Sequence, residues 1–294
     1  MKVAFYLMNS KGLYVLQNFL NKFGGCAVEY VVGARDLNVQ NDYFYEIKSL
    51  ASQAQIGFYE RTEFPVEKER RFNGYKFSVG WRWLIKNEEN LIVFHDSLLP
   101  KYRGFAPLVN SLINNEQACG VTALLADAKY DCGDIIEQKS ICFDYPLKIQ
   151  DAIEKIEPLY FDLIDRIYQK LLNGKHLDRQ EQDDSQATYS PWLDEEDYFI
   201  NWQWSAEKIV NFVNAVGYPY NGAKARVNNS VVIFSDVESV NDLVVEHRER
   251  HIGKVLLVED GCPVIICKTG MLKLIEIKTP TNEQVKINFR SRFC

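Results

Sequence analysis

The sequence of 294 residues lacks the short motifs that by themselves assign a ligand. No G-x-G-x-x-G pattern follows its first apolar run and no Walker loop is present, which excludes a glycine loop that cradles phosphates. Its seven cysteines are odd in number and include no C-x-x-C pair, so neither a disulfide framework nor a zinc knuckle is indicated. No run of about 18 apolar residues occurs, and the apolar start of the chain is too short for a signal sequence. We therefore expect no membrane span and a cytoplasmic location.

An excess of basic charge is also missing. The formal net charge is −6 and the sequence pI is about 5.4, which argues against a nucleic-acid partner. The dense basic run at 68–71 is interpreted as solvated surface. Only four histidines are present, and although His247 and His251 have the spacing of a metal-binding pair on a helix, no third ligand is near them. The sequence therefore predicts no metal site.

What is present is an alternation of apolar strands and amphipathic helices in the first part of the chain. The predicted strands are Val3–Met8, Cys26–Gly33, Ile56–Tyr59 and Leu91–Phe94, and the predicted helices are Leu13–Phe23 and Asn41–Gln53. Asn9–Gly12 is interpreted as a turn or helix cap, and Phe77–Ile85 as a strand that can lead into a helix. This alternation predicts an α/β fold with a parallel sheet, whose ligands lie at the carboxyl ends of the strands.

The rest of the chain becomes more helical and then rich in short strands. The predicted elements are strands Gly120–Ala126 and Ile135–Cys142 and helices Ala106–Asn115, Ile149–Leu172 and Ala206–Val216. Pro158 predicts a kink or a break near Glu157. The polar stretch Gly174–Trp192 is interpreted as a linker or surface crossing, and the short apolar runs after Gly222 predict a small barrel. The predicted division is an α/β catalytic domain, a crossing segment and a β-rich domain, at 1–190, 191–204 and 205–294.

One histidine stands where the predicted sheet places its ligands. The buried strand Leu91–Phe94 delivers His95 at its end, and a polar turn and a proline-closed loop follow. Asp131 lies on a second loop, shortly before a glycine. A carboxylate that holds a strand-end histidine is a general-base arrangement, provided that the two side chains meet. A structural, hydrogen-bonded histidine is the alternative, and the residues alone leave it open.

The run HDSLLPKYRGFAP, which starts at His95, and the later DCGDI, which starts at Asp131, resemble the two hallmark motifs of the folate-dependent formyltransferases. Further stretches that resemble this family are GVT at 120–122, ATYSP at 187–191, ED at 196–197, INW at 200–202 and PYNGA at 219–223. The resemblance implies a Rossmann-like N-terminal formyltransferase domain, a smaller OB-like barrel, N10-formyltetrahydrofolate as the formyl donor and no metal. It implies His95 as the base or oxyanion stabiliser, and Asp131 as the residue that orients it and favours its protonated form.

The same resemblance implies residues for both substrates. Those expected to bind the folate are Trp81, Arg82, Ser97, Leu98, Pro100, Tyr130, Gly133 and Asp134. Those expected to bind the acceptor are Asn9, Ser10, Lys11, Arg103, Gly104, Tyr189 and Trp202. Alternatives stay open for several of them. Trp81 can belong to the core, Arg103 can cap the next helix, and Tyr189 and Trp202 can form a packed core between the domains.

Val93 departs from the family pattern, because that position usually holds an asparagine that donates to the oxyanion. Asp96 likewise stands where proline is common. Loss of one oxyanion donor typically costs about 10²–10³ in rate. Because valine cannot donate, the expected substitutes are Asn9, Ser10 or a backbone N–H.

Two acceptors are expected for a family member of this length, a nucleotide-linked amino sugar and initiator methionyl-tRNA. The acidic composition and the lack of a basic insertion after the first strands favour the sugar, and with it a role in lipopolysaccharide or O-antigen biosynthesis. A catalytically silent protein that binds folate or a nucleotide sugar is a third hypothesis, motivated by Val93. A homodimer is expected from the habit of the sugar-directed members, and no membrane partner is expected.

Overall fold

The computed structural model describes residues 1–228 and 230–294, which form two compact units. Unit 1 comprises Met1–Leu108, Gln117–Phe143 and Ala152–Trp192, and unit 2 comprises Val109–Glu116, Asp144–Asp151 and Leu193–Cys294. Two short pieces from the N-terminal half of the chain thus belong to unit 2. The predicted domain limits at 190 and 204 stay a prediction.

A seven-stranded sheet forms the centre of unit 1. The strands of this unit are β1 (Val3–Leu7), β2 (Val28–Gly33), β3 (Gly57–Glu60), β4 (Lys76–Val79), β5 (Leu91–His95), β6 (Arg103–Gly104), β7 (Ala118–Leu125), β8 (Ile135–Cys142) and β9 (Tyr189–Ser190). The sheet has the order β3-β2-β1-β4-β5-β7-β8, in which the first five strands are parallel to one another, β7 is antiparallel to β5, and β8 is antiparallel to β7. Strands β6 and β9 pair separately. The predicted α/β, Rossmann-like class is confirmed.

Two helices begin at residues other than those predicted. The helices are α1 (Asn9–Phe23), α2 (Phe44–Gln53), α3 (Val66–Arg71), α4 (Pro107–Ile113), α5 (Ile149–Leu172) and α6 (Ala206–Ala215), with single 3-10 turns at Gly25–Ala27, Arg61–Glu63, Asp184–Gln186, Glu196–Tyr198 and Arg248–Arg250. The predicted turn at Asn9 is the first turn of α1. Gly12 permits this start, because a Cβ there would lie 3.0 Å from a Cβ of β1. Helix α2 starts after Tyr43, whose left-handed conformation (φ 55°) prevents an earlier start.

The prediction of a helix after β4 is wrong. Residues 80–90 form turns and bends instead. Gly80 has a φ of +64°, and a Cβ there would lie 3.0 Å from Asn9 Oδ1 and 3.1 Å from the Met8 carbonyl oxygen. The close approach of the ends of β1 and β4 therefore places a left-handed glycine where a helix would have to begin.

Helix α5 is continuous through Pro158, so the predicted break near Glu157 does not occur. Its buried apolar residues recur at helical spacing and include Ile153, Ile156, Tyr160, Leu163, Ile164 and Ile167. An interior proline costs a helix about 3 kcal/mol. Burial of a stripe of this length outweighs that cost, because each buried large apolar side chain contributes roughly 1.5–3 kcal/mol.

Unit 2 is built on an antiparallel sheet, as the predicted β-rich domain requires. Its strands are β10 (Ala223–Val227), β11 (Ser230–Val240), β12 (Val255–Glu259), β13 (Cys262–Ile266) and β14 (Met271–Lys278), in the order β10-β11-β14-β13-β12. The end of the chain bonds to both edge regions. Phe293 N–H donates to Gly253 O at 2.8 Å, and Arg226 and Cys294 exchange two backbone hydrogen bonds of 2.9 Å. This tail links the two edges, which agrees with the predicted barrel.

The interior of unit 2 is aromatic. Trp202 lies with its ring centre 6.2 Å from that of Phe234 and 5.5 Å from that of Phe293. Helix α6 starts with a capping bond from Lys208 N–H to Ser205 Oγ at 3.2 Å. The two ring contacts of Trp202 place it in the core of the unit.

Along the described residues, no helix combines the length and the apolar character required to cross a membrane. The same residues contain no group of three or more His, Cys, Asp or Glu side chains arranged to hold a metal ion. Each of the seven cysteines has a free thiol in this structure.

Candidate active site

Three parallel strands bring the residues predicted from the sequence to the carboxyl ends of the sheet. Strands β1, β4 and β5 are neighbours in the sheet. Asn9 lies just after the carboxyl end of β1, Trp81 lies just after that of β4, and His95 is the last residue of β5. The direction of strand addition reverses between β1 and β4. In open α/β sheets this reversal forms a crevice that binds ligands.

His95 is 7% exposed, and both of its ring nitrogens face acceptors. Its Nε2 lies 2.7 Å from the carbonyl oxygen of Tyr102. Because a carbonyl can only accept, Nε2 carries the hydrogen. Its Nδ1 lies 3.6 Å from Asp131 Oδ1, within ion-pair range but longer than a hydrogen bond. The two residues that the sequence singled out therefore do meet, and only a doubly protonated ring can donate towards both partners.

Asp131 is fixed by the loop that follows His95. Its Oδ2 accepts from the Gly104 N–H at 2.8 Å, and its Oδ1 faces the imidazole. A carboxylate held in this way can orient the ring and balance a positive charge on it.

The same loops contain a cluster of left-handed residues. Tyr102, Ala106 and Asp131 have φ values of 61°, 47° and 54°. Each such non-glycine residue costs of order 1–3 kcal/mol and persists only where its surroundings dictate it. Gly104 (φ +102°) has no alternative, because a Cβ there would lie 2.7 Å from Ser190 O. Strain of this kind clusters at functional sites.

Arg103 is the largest fully buried side chain, at 1% exposure. Its Nε and Nη2 donate to Gln182 Oε1 at 3.1 and 2.9 Å, its Nη2 lies 2.8 Å from Asp184 Oδ1, and its Nη1 lies 3.4 Å from Tyr189 Oη. Burial opposes the charged guanidinium, but these partners raise the pKa of Arg103 above its usual value. Its predicted contact with substrate stays a prediction, since the guanidinium is engaged within unit 1.

On the α5 side of the sheet, Lys11 and Asp96 form a buried ion pair, with side chains 9% and 13% exposed. The Lys11 ammonium lies 5.9 Å from the centre of the Tyr160 ring. Burial raises the pKa of the Glu157 carboxyl, although the Ser10 hydroxyl and the Lys11 ammonium act in the opposite direction. Asp96, which stands in a proline position of the family pattern, thus provides an anchor for Lys11.

Val93 lies on the same face of β5 as His95, because side chains alternate along a strand. It packs against an apolar cluster of Leu99, Leu124 and Ile135. An apolar cluster therefore occupies the place of the usual oxyanion donor. Of the expected substitutes, Asn9 has a buried Oδ1 with no hydrogen-bond partner among the described residues. That oxygen is an acceptor and cannot donate to an oxyanion, so the substitute donor stays a prediction.

Trp81 and Arg82 differ in how they are held. The Trp81 ring packs edge-on against Tyr6, with centres 5.3 Å apart, and its buried Nε1 has no partner within the part of the chain that the structure describes. Arg82 forms an ion pair with Asp36, Nη2 to Oδ2 2.5 Å. Trp81 is thus part of the aromatic core, and its indole N–H is a donor without a partner among the described residues.

The other residues expected to bind the folate line the two loops. Ser97 Oγ donates to Lys101 O at 2.7 Å, and Leu98 packs on Gly120, where a Cβ would lie 2.6 Å from Leu98 Cδ2. The carbonyls of Pro100, Gly133 and Asp134 accept from Thr188 N, Gln182 Nε2 and Leu125 N at 3.3, 2.8 and 2.9 Å.

Aromatic side chains beside the site are open to solvent. Tyr130 is 55% and Tyr189 70% exposed, and the Phe105 ring centre lies 6.1 Å from that of Tyr130. Trp202, in contrast, is 7% exposed and packs inside unit 2, so its predicted contact with the acceptor stays a prediction. Gln182 was missed altogether, since a glutamine in a polar stretch has no local signal of burial.

Two family models match the chain. The model described as "Formyl transferase" matches residues 81–158, and the model described as "Formyl transferase, C-terminal domain" matches residues 193–291. Together they cover more than half of the 294 residues, and the first includes His95 and Asp131.

Among curated relatives, the methionyl-tRNA formyltransferase of Syntrophomonas wolfei subsp. wolfei is 33% identical over 200 residues, which are 65% of this chain and 62% of that protein. The chain thus spans about three-fifths of that relative's length.

Two solved structures resemble nearly the whole chain. The N-formyltransferase from Helicobacter canadensis, in complex with folinic acid and dTDP-3-aminofucose, has a TM-score of 0.70 at 19% identity and covers 93% of this chain and 98% of its own. WlaRD, a sugar 3N-formyl transferase in the presence of dTDP and 5-N-formyl-THF, has a TM-score of 0.69 at 18% identity and covers 93% and 97%. At these identities the likeness shows the fold alone.

Proposed function

The chain belongs to the formyl transferase family, and from that premise we propose that it moves a formyl group from N10-formyltetrahydrofolate to the amine of a nucleotide-linked amino sugar. The observation that carries the proposal is the strand-end His95, held between the Tyr102 carbonyl and the Asp131 carboxylate at the carboxyl edge of the sheet. Formyl transfer requires that the acceptor amine lose a proton and that negative charge on the formyl oxygen be stabilised.

His95 provides both functions in this proposal. Its Nε2–H donates to Tyr102 O, so a bound substrate has to take the place of that carbonyl. Nε2 accepts the proton of the amine only when the remaining ring hydrogen lies on Nδ1, towards Asp131, and the Nε2–H formed in that step then donates to the developing charge. Asp131 orients the ring through Nδ1 and balances the imidazolium charge. Positioned proton transfer is worth roughly 10²–10⁴ in rate.

Two orphaned polar atoms on residues that follow β1 and β4 support a ligand with hydrogen-bonding edges, as a folate has. Asn9 Oδ1 and Trp81 Nε1 are buried polar atoms for which the described residues offer no partner. Such an atom costs about 1–3 kcal/mol, so a ligand that pairs with both would be stabilised. Bound N10-formyltetrahydrofolate would supply the activated formyl group, and these two side chains, with Tyr130, would hold its ring system.

A sugar acceptor is supported by charge and by exposed aromatic surface. The net charge of −6 disfavours the phosphate track of a tRNA. Phe105 and Tyr189 offer faces on which a nucleobase can stack. The two similar solved enzymes, which are described with dTDP or a dTDP-linked amino sugar, support the same class.

The test is transfer from N10-formyltetrahydrofolate to a panel of dTDP- and UDP-linked amino sugars, with methionyl-tRNA in parallel and His95→Asn as the inactive control. Formylated sugar, detected by mass spectrometry, is expected. Turnover on methionyl-tRNA with none on any sugar would sink the sugar proposal and establish the second candidate, which the curated relatives favour. Folate binding without transfer to any amine would instead support the silent binder motivated by Val93.

We keep three further expectations as proposals: a cytoplasmic location, a homodimer and a role in O-antigen assembly. The seven free thiols agree with a reducing compartment. Light scattering on the purified chain tests the dimer.

A further inference from the structure

Residues 182–190 of unit 1 fall in the stretch predicted to be a linker, yet they bond to both loops of the candidate site. Thr188 accepts from the backbone N–H groups of Tyr102, through Oγ1, and Arg103, through its carbonyl, at 2.8 Å each. The Ser190 carbonyl accepts from Phe105 N–H at 2.9 Å. The segment is therefore part of the frame of the first loop.

Gln182 connects that frame to the second loop. It is 9% exposed and uses both ends of its amide. Its Nε2 donates to the carbonyl oxygens of Asp131 and Gly133 at 2.8 Å each. Its Oε1 accepts from Arg103 Nε and Nη2 at 3.1 and 2.9 Å. One side chain thus joins the loop of Asp131 to the loop that follows His95.

This connection bears directly on the separation of His95 and Asp131. The first loop holds His95 through Tyr102 O at 2.7 Å, and it holds the Asp131 carboxylate through Gly104 N–H at 2.8 Å. Gln182 fixes the backbone of the same Asp131 to the same loop. A shift of one loop against the other changes the distance of 3.6 Å between Nδ1 and Oδ1.

We propose that Gln182 is a positioning residue that sets the geometry of Asp131 against His95. The proposal rests on the proposed function for its effect on rate, but its effect on the imidazole does not depend on any substrate.

The substitution Gln182→Glu distinguishes the role of the amide donor from that of the amide acceptor. It keeps an acceptor for Arg103 and replaces the donor with an oxygen that faces two carbonyls. If Gln182 served only to satisfy the buried Arg103, a carboxylate would serve as well or better, because charge-assisted bonds are stronger. Gln180→Glu is the matched control: it adds the same charge two residues earlier, at an exposed side chain.

For Gln182→Glu we expect kcat to fall about 10²-fold, the loss that a misplacement of about 1 Å produces, with little change in KM. Gln180→Glu should retain the wild-type kcat. Gln182→Met, which preserves the volume without polar atoms or added charge, should reproduce the loss and serves if Gln182→Glu folds poorly. The melting temperature of each variant is measured alongside.

The second readout is the ¹⁵N spectrum of the histidine rings in the substrate-free protein, with His95 assigned from His95→Asn. We expect the His95 signals to move in Gln182→Glu and Gln182→Met and to stay in place in Gln180→Glu. Wild-type kcat and unmoved His95 signals in both Gln182 variants would overturn the proposal. A wild-type chain that transfers no formyl group would refute the proposed function instead, while the ring spectrum still decides the positioning role.

Discussion

Two adjacent residues, His95 and Asp96, are held in opposite ways. His95 shares the face of Val93 and contacts a backbone carbonyl and, at 3.6 Å, a carboxylate on a strained loop. Asp96 turns to the side of helix α5 and forms a buried ion pair with Lys11. If His95 changes partners, the Asp131 carboxylate still accepts from Gly104 N–H. If Lys11 or Asp96 is lost, the other member of the pair loses its buried counter-ion.

This difference separates rate from stability. Substitutions on the His95 side should alter turnover while the fold persists, because the loops hold both of its partners: the Tyr102 carbonyl belongs to the backbone, and the Asp131 carboxylate keeps its bond from Gly104 N–H. Substitutions on the Asp96 side should alter the free energy of unfolding, because a buried charge that loses its partner is costly.

His95→Asn should give the largest effect. Without the imidazole neither proton transfer nor its share of charge stabilisation remains, and kcat should fall by about 10²–10⁴. The measurement is steady-state formyl transfer, with the exposed His176→Asn as matched control. Unimpaired turnover in His95→Asn would show that the catalytic assignment is wrong.

Lys11→Met tests the Asp96 side of the comparison, through its effect on the free energy of unfolding. Removal of one member of a buried ion pair typically costs about 3–5 kcal/mol, because the remaining charge is left without compensation. Urea denaturation should show this loss, and the double variant Lys11→Met with Asp96→Asn should recover part of it. A loss below about 1 kcal/mol, the range of surface pairs, would contradict the comparison.

Val93→Asn should change both quantities, with a rise in turnover and a fall in stability. An amide on the face of His95 restores the donor that the family pattern has, and we expect kcat to rise by up to about 10². The polar group enters an apolar cluster, so stability should fall by about 1–3 kcal/mol. Val93→Leu, which adds bulk without a donor, is the control, and an equal rise in both variants would refute the donor explanation.

Glu157→Gln should give the smallest effect, visible in its dependence on pH. Burial raises the pKa of Glu157 above its usual 4.5, so the folded state holds this proton more tightly than the unfolded state. Its contribution to stability is complete below pH 4.5 and is lost as the pH rises through the raised pKa. The wild-type free energy of unfolding minus that of Glu157→Gln should therefore decrease with rising pH. A difference that increases would show that the pKa is lowered.

Local patterns were sufficient for most of the elements and for the two motif residues. The apolar period predicted helix α5 from Ile149 to Leu172, whereas the break expected at Pro158 does not occur. His95 and Asp131 were identified from short motifs and the position of a strand end. These features depend on residues that are close in the sequence, where period and turn chemistry can be read directly.

Contacts between distant residues were not predictable in this way. Gln182 lies 51 positions from Asp131 and 79 from Arg103, and Lys11 lies 85 from Asp96. Gln182 looks like solvated surface in its own polar stretch, and nothing local pairs Lys11 with Asp96. Their burial follows from chain folding, since a buried polar group is stable only when folding brings its partner to it. The sequence identified the histidine and the carboxylate of the site, while the folded chain supplied the glutamine that joins their loops and the ion pair behind them.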